Sequence, residues 1–274
     1  VEALRQVDGW PPANVAAAVL RADRLLGERG DPERVFRWAS ITKLLTAYAC
    51  LVAAEEGTID LDEPAGPPGS TVRHLLAHAS GLPFDDGMPV GRPGARRNYS
   101  NPGIDLAAAT LAERAGIPFQ TYLTEAVLRP LEMGAELEGT PAAGIRGSLE
   151  DLVRFGRELL APVLVAEETL AEATSVQFPG LAGVVPDLGR FDPNDWGLGF
   201  ELRDHKAHWM GTRTSPRTFG HFGGSGTFLW VDPDLGVALA CLTDLEFGDW
   251  AKATWPSLSD AVVAEAVAEA GPAV

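Results

Sequence analysis

Lysine is nearly missing from this chain: three stand against nineteen arginines in 274 residues. No basic block occurs and the formal net charge is −16. That balance does not suit nucleic acid or an anionic membrane surface as a partner. Cysteine is as scarce. Cys50 and Cys241 each lie within an apolar segment, and a lone pair offers no disulfide framework. Reduced, buried thiols are expected, which suits a cytoplasm. No apolar run reaches the length that spans a bilayer, and Val1-Glu2-Ala3-Leu4-Arg5 lacks a signal-peptide pattern. A cytoplasmic location is therefore expected, although a processed mature form would read the same. No internal repeat or low-complexity segment occurs either. What remains is an ordinary globular composition, 46% hydrophobic and 22% charged, with length for one large domain or two small ones.

Strand patterns fall at both ends. Val15 to Leu20, a turn at Arg21-Ala22-Asp23 and Leu25 to Gly27 predict a hairpin. Trp196 to Leu202, Thr218 to Phe222, Thr227 to Val231 and Val237 to Leu242 are short β-prone runs, with a strong hairpin turn at Asp232-Pro233-Asp234-Leu235-Gly236. The middle is helical. Ser40 to Glu55 carries apolar residues at helical spacing and ends at Gly57, and Val72 to Leu76, Ile104 to Ala115, Phe119 to Val127 and Leu149 to Leu160 follow. Ser148 is placed to cap the last of these. Asp85 to Asn98 reads as a polar surface stretch, and Trp250 to Glu269 as a terminal helix. The simplest assembly is α+β. Residues 1–45 and 195–274 would form one lobe around an antiparallel sheet, and 46–194 a mostly helical lobe inserted into it, with a site at their junction.

Lys43 follows a serine by three residues in Ser40-Ile41-Thr42-Lys43. On a helix that spacing brings the ammonium to the hydroxyl. A serine hydroxyl needs such a neighbour to take its proton before it attacks a carbonyl. With ten serines and three lysines, chance supplies roughly 0.1 such matches, so the motif alone decides nothing. Tyr99-Ser100-Asn101 and His221-Phe222-Gly223-Gly224-Ser225-Gly226 follow it in order, with Thr71 to Leu82 between the first two.

Together these segments resemble the serine β-lactamase and penicillin-binding-protein-like superfamily, specifically its class C-like branch of β-lactamases, esterases and peptidases. The likeness runs from about Val35 to Asp244. It implies that Ser40 is the acylated nucleophile and that Lys43 and Tyr99 form one coupled acid–base unit with it. Which of the two takes the serine proton stays open. Asn101 resembles the residue that hydrogen-bonds the substrate carbonyl or the lysine. The glycine-rich segment resembles the Lys-Thr-Gly strand, with Gly223 at its glycine and the Gly224 amide paired with that of Ser40 as an oxyanion hole. The chain departs from the β-lactamase pattern there: His221 stands at the lysine and Phe222 at the hydroxyl residue. That loss of a fixed cation and a hydroxyl favours uncharged ester or amide substrates. The resemblance implies no metal or organic cofactor and a small-molecule partner, and leaves the oligomeric state open. β-Lactamase, D,D-peptidase, D-aminopeptidase and transacylase activities are the alternatives, and a non-catalytic binding role is disfavoured by the intact Ser40, Lys43 and Tyr99.

Other candidates carry blander readings. His74 and His78 lack the glutamate and third ligand of a zinc motif. His205 and His208 flank a hairpin and are expected at the surface. Trp196, Trp209 and Trp230 either line the pocket or pack the core.

Overall fold

The computed structural model describes residues 1–270. Six strands form its main antiparallel sheet: β1 (Val15–Leu20), β2 (Leu25–Arg29), β3 (Glu201–Leu202), β4 (Phe219–Gly223), β5 (Thr227–Asp232) and β6 (Val237–Thr243). Their spatial order is β2-β1-β6-β5-β4-β3, so β1 near the amino end pairs with β6 near the carboxyl end, Val15 opposite Thr243. The central strands are apolar on both faces because both faces are covered. Ala16, Ala18 and Leu20 enter one core and Ala17 and Val19 the other, the two-residue period of a strand. β6 divides likewise, with Ala238, Ala240 and Leu242 on the first face and Val237, Leu239 and Cys241 on the second. Cys50 belongs to the first core, and both thiols are free and buried.

The first core holds the helices of the middle: α1 (Thr42–Glu55), α2 (Val72–Leu76), α3 (Asn101–Ala115) and α4 (Leu149–Leu160). The second is closed by α5 (Asp249–Ala270) and the opening turn Glu2–Gly9. α1 is buried over twelve of its fourteen residues, which is why its sequence is apolar nearly all round. Ser148 caps α4 as expected, accepting from the Asp151 amide at 3.1 Å while the Asp151 carboxylate takes the Ser148 amide at 2.9 Å.

Three local expectations fail for tertiary reasons. Between Trp196 and Leu202 only Glu201–Leu202 pairs in the sheet. Gly199 has φ +81°, and a Cβ there would stand 2.2 Å from Ala47 Cβ, so the chain bends to cross α1 instead of extending. Asp85 to Asn98 is not all surface. The Arg97 guanidinium is buried and donates to the carbonyls of Ala77, Gln177 and Asn194 at 2.6, 2.7 and 3.1 Å. His208 is buried as well, its Nε2 2.9 Å from Glu201 Oε1.

Glu201 anchors a buried polar cluster behind the pocket. Burial alone would raise its carboxyl, but Lys206 and His208 hold it well below the usual carboxylate range. Lys206 Nζ lies 3.4 Å from Glu201 Oε1 and donates to Asn194 Oδ1 and the Asp195 carbonyl. Removing one partner of such a pair strands the other charge in low dielectric. Lys206→Met is expected to lower the unfolding free energy at pH 7 by about 3–5 kcal/mol. Urea titration checks this, and a loss below about 1 kcal/mol would contradict it.

Candidate active site

Ser40 is delivered by a tight turn. Ala39 has φ +46°, a left-handed backbone that costs an alanine energy, and the 3₁₀ turn Ala39–Ile41 runs directly into α1. The preceding residues are pinned to the sheet, because Thr227 Oγ1 donates to the Trp38 carbonyl at 3.0 Å and Ser225 Oγ to that of Arg37 at 2.7 Å. Gly223 permits this approach, since a Cβ there would lie 2.3 Å from the Trp38 oxygen. The next residue, Gly224, faces open space and lines the cavity beside Ser40. Its amide donates to no protein acceptor among the described residues. The Ser40 amide sits at a helix start, where backbone N–H groups lack intrahelical partners.

Lys43 lies one turn along and is fully buried. Its Nζ donates to Ser40 Oγ at 3.0 Å and to the Ala142 carbonyl at 2.8 Å, and stands 4.9 Å from the Tyr99 ring centroid. Desolvation brings its pKa down to about 7, against the opposing pull of Asp105 and Asp85.

Tyr99 approaches from the segment just before α3 and is set by the start of that helix. Ser100 caps that helix, accepting the Gly103 amide at 3.0 Å, so the residue before it is fixed. His78 supports Tyr99 from behind, accepting the Ser100 amide on Nδ1 at 3.1 Å and packing 4.5 Å from the phenol ring. Burial, with Lys43 and His221 nearby, holds His78 well below its ordinary pKa. The Tyr99 hydroxyl lies 3.3 Å from His221 Nε2. Burial raises the phenol well above its ordinary value, with the Ser40 hydroxyl drawing it partly back. A lowered lysine and a raised phenol mean that Lys43, not Tyr99, is the member that loses its proton near neutrality.

His221 Nδ1 donates to the Phe222 carbonyl at 2.6 Å, leaving Nε2 toward Tyr99. Burial and Lys43 bring its pKa to about 4, so it is neutral at pH 7 and is no substitute for a fixed cation. Phe222 is buried against Trp209, Phe247 and Trp255 and borders the cavity.

The cavity at Ser40 has a volume of about 90 Å³ and is walled by Phe84, Tyr99, Trp196, His221, Phe222 and Gly224. Of the three tryptophans singled out, Trp196 alone lines it. Trp209 donates to Glu201 and Trp230 to Ser259 within the core. An adjoining groove of about 520 Å³ shares Phe84, Tyr99 and Pro186 with the cavity and continues along Val90, Val184 and Arg96.

The structure thus brings Ser40, Lys43, Tyr99, His221 and Gly224 together. Asn101 opens α3 beside them but turns its Nδ2 toward Asp85 Oδ1 at 3.3 Å, and its Oδ1 is buried without a partner. It makes no hydrogen bond to Lys43. Sequence reading missed Phe84, Asp105 and the Ala142 carbonyl. No motif marks them: Phe84 and Asp105 lie just outside the recognisable segments, and a backbone carbonyl has no sequence signature.

An antiparallel sheet flanked by helices, with a serine and a buried lysine where they meet, is the architecture of the β-lactamase and transpeptidase-like fold. The family model described as Beta-lactamase matches residues 13–135 and 132–261, and the chain belongs to that family. It is similar to a crystal structure of a β-lactamase from Mycobacterium bovis, at 51% identity over 96% of this chain and 99% of that one, with a TM-score of 0.95. It is 29% identical to the D-alanyl-D-alanine-carboxypeptidase/endopeptidase AmpH of Escherichia coli K12 over 142 residues, 38% of this chain and 37% of that protein. The match thus spans little more than a third of that relative. EstCE1, described as a hydrolase with promiscuous acyltransferase activity, shares the fold at 16% identity and a TM-score of 0.77, covering 95% of this chain and 96% of that one.

The depressed Lys43 pKa has a consequence for stability. An unfolded lysine titrates near 10.5 and the folded one near 7. Between those values the unfolded chain holds a proton that the fold does not, so stability from this group rises with pH across the window. Lys43→Met removes that dependence. Its stability relative to wild type is expected to fall by about 4 kcal/mol from pH 6 to pH 10. Urea unfolding of both proteins at pH 6, 8 and 10 measures the difference, and a pH-independent difference would contradict the depressed pKa.

Proposed function

We propose that the protein hydrolyses a small ester or amide through an acyl intermediate on Ser40, with esterase-like rather than β-lactamase-like preference. One observation carries this reading: Lys43 Nζ stands 3.0 Å from Ser40 Oγ while buried and poised near pH 7. Neutral Lys43 takes the hydroxyl proton as Ser40 Oγ bonds to the substrate carbonyl carbon. The amides of Ser40 and Gly224 receive the developing oxyanion. The bond to the leaving group then breaks, and the proton held by Lys43 passes to it, directly or across Tyr99. Water repeats the sequence on the acyl-enzyme: its proton goes to Lys43 and its oxygen to the acyl carbon, the bond from that carbon to Ser40 Oγ breaks, and the proton held by Lys43 returns to Oγ.

The neutral His221 and the apolar Phe222 support uncharged substrates, since neither offers the cation or hydroxyl that would hold a β-lactam carboxylate. The adjoining groove suits an apolar substrate arm. Hydrolysis of β-lactams or D-alanyl peptides is the second reading, favoured by the descriptions of the Mycobacterium bovis and Escherichia coli relatives.

Turnover of p-nitrophenyl butyrate and of nitrocefin by one preparation separates the two readings. The ester is expected to be the better substrate in kcat/KM by about tenfold or more, and Ser40→Ala is expected to abolish turnover. Retained turnover in Ser40→Ala would refute the mechanism, and nitrocefin as the better substrate would establish the second reading. The ester kcat/KM should rise with pH through an inflection near 7, as Lys43 loses its proton.

A further inference from the structure

Asp105 lies on α3, four residues after Asn101, and takes no direct hydrogen bond from Ser40, Lys43 or Tyr99. It reaches the site through a backbone clip. Its Oδ1 accepts the Ala142 amide at 2.8 Å, and the carbonyl of the same residue accepts Lys43 Nζ at 2.8 Å. The segment carrying Ala142 is tied to α1 on both sides. Thr46 Oγ1 donates to the Pro141 carbonyl at 2.6 Å, and the Ile145 amide donates to Thr42 Oγ1 at 3.0 Å. Asp105 is the tie from α3, so the Ala142 carbonyl is fixed between two helices.

That placement matters most when Lys43 is neutral. An ammonium has three N–H bonds and can serve Ser40 Oγ and Ala142 O at once. A neutral amine has two N–H bonds and one lone pair. If one N–H stays committed to the Ala142 carbonyl, the amine has few ways to rotate and its lone pair can face the Ser40 hydroxyl. Base and nucleophile are then aligned before substrate arrives. The same carboxylate also lies close enough to favour the charged lysine, so one residue sets both the orientation and the protonation of the base.

We propose that Asp105 is the positioning residue of the catalytic lysine, holding the Ala142 carbonyl that orients Lys43 and bringing a carboxylate to the same peptide group. The inference rests on the hydrolase reading above and deepens it. The other groups facing Lys43 do not duplicate the role. Asp85, from the loop before α3, adds negative charge but makes no contact with the clip. Tyr99, His78 and His221 are all neutral near pH 7, the phenol raised by burial and both rings lowered by it.

Two substitutions separate charge from position. Asp105→Asn keeps an oxygen able to accept the Ala142 amide but removes the charge, so the clip persists and Lys43 loses its proton more readily. Asp105→Ala removes both. The readouts are the pH dependence of Ser40 labelling by a fluorophosphonate, located by intact-mass spectrometry, and kcat and KM for p-nitrophenyl butyrate. Asp105→Asn is expected to move the acid limb of both profiles to lower pH by about half a unit or more, with a plateau kcat above that of Asp105→Ala. Asp105→Ala is expected to lower plateau kcat about tenfold or more with KM little changed. An unmoved limb in Asp105→Asn together with equal plateaus in the two variants would overturn the inference while leaving the hydrolase reading intact. A wild type that is neither labelled at Ser40 nor active on the ester would overturn both. Should Asp105→Ala fail to fold, the limb position in Asp105→Asn decides alone.

Discussion

A primary ammonium buried out of reach of solvent is the constraint on which this site turns. Lys43 is enclosed by α1, the Ala142 carbonyl and the Tyr99 ring, and that enclosure lowers its proton affinity to the physiological range. Its charge is costly to bury, so the surroundings must compensate in part. They do so with two hydrogen bonds and with the carboxylates of Asp105 and Asp85, which act at a distance. Full compensation by a direct ion pair would return the lysine to its ordinary pKa and leave it a poor base. Elsewhere the chain buries Lys206 beside Glu201 at 3.4 Å, and there too burial lowers the lysine's pKa, against the pull of the paired carboxylate.

The same burial disfavours the charged form of each neighbouring group. It raises the Tyr99 phenol and lowers His78 and His221, so Lys43 is the member of the group that changes charge near pH 7. Rigidity comes from three directions. The β4–β5 connection pins Arg37 and Trp38 ahead of the serine, the α3 cap pins Tyr99, and the segment around Ala142 closes over Lys43. No one element holds the site, which lies where the sheet and the inserted helices meet.

The strands at the two ends and the buried central helix were legible because two-residue and helical periodicities are local signals. Ser40 and Lys43 were legible because three residues of helix bring them together by geometry alone. Ser148 could be assigned as a cap for the same reason. Arg97, His208 and Glu201 were not, since a polar residue carries no local mark of the buried partner that folding brings to it. The Ala142 carbonyl is invisible in any sequence, because every residue has one. Which of Lys43 and Tyr99 loses its proton near neutrality stayed open in the sequence, because it depends on the desolvation that packing brings. Asn101 was read from its motif, but its side-chain amide turns to Asp85, a partner the motif does not specify.

The scarcity of lysine makes the central claim directly measurable. Protein labelled with ¹³C at lysine Cε presents signals from three residues, Lys43, Lys206 and Lys252, and Lys43→Met assigns the first by its disappearance. Titration of the Lys43 signal across pH 5 to 11 is predicted to give a midpoint near 7. A midpoint near the ordinary lysine value of 10.5 would contradict the account, because Lys43 would then remain protonated and could not take the Ser40 proton at neutral pH.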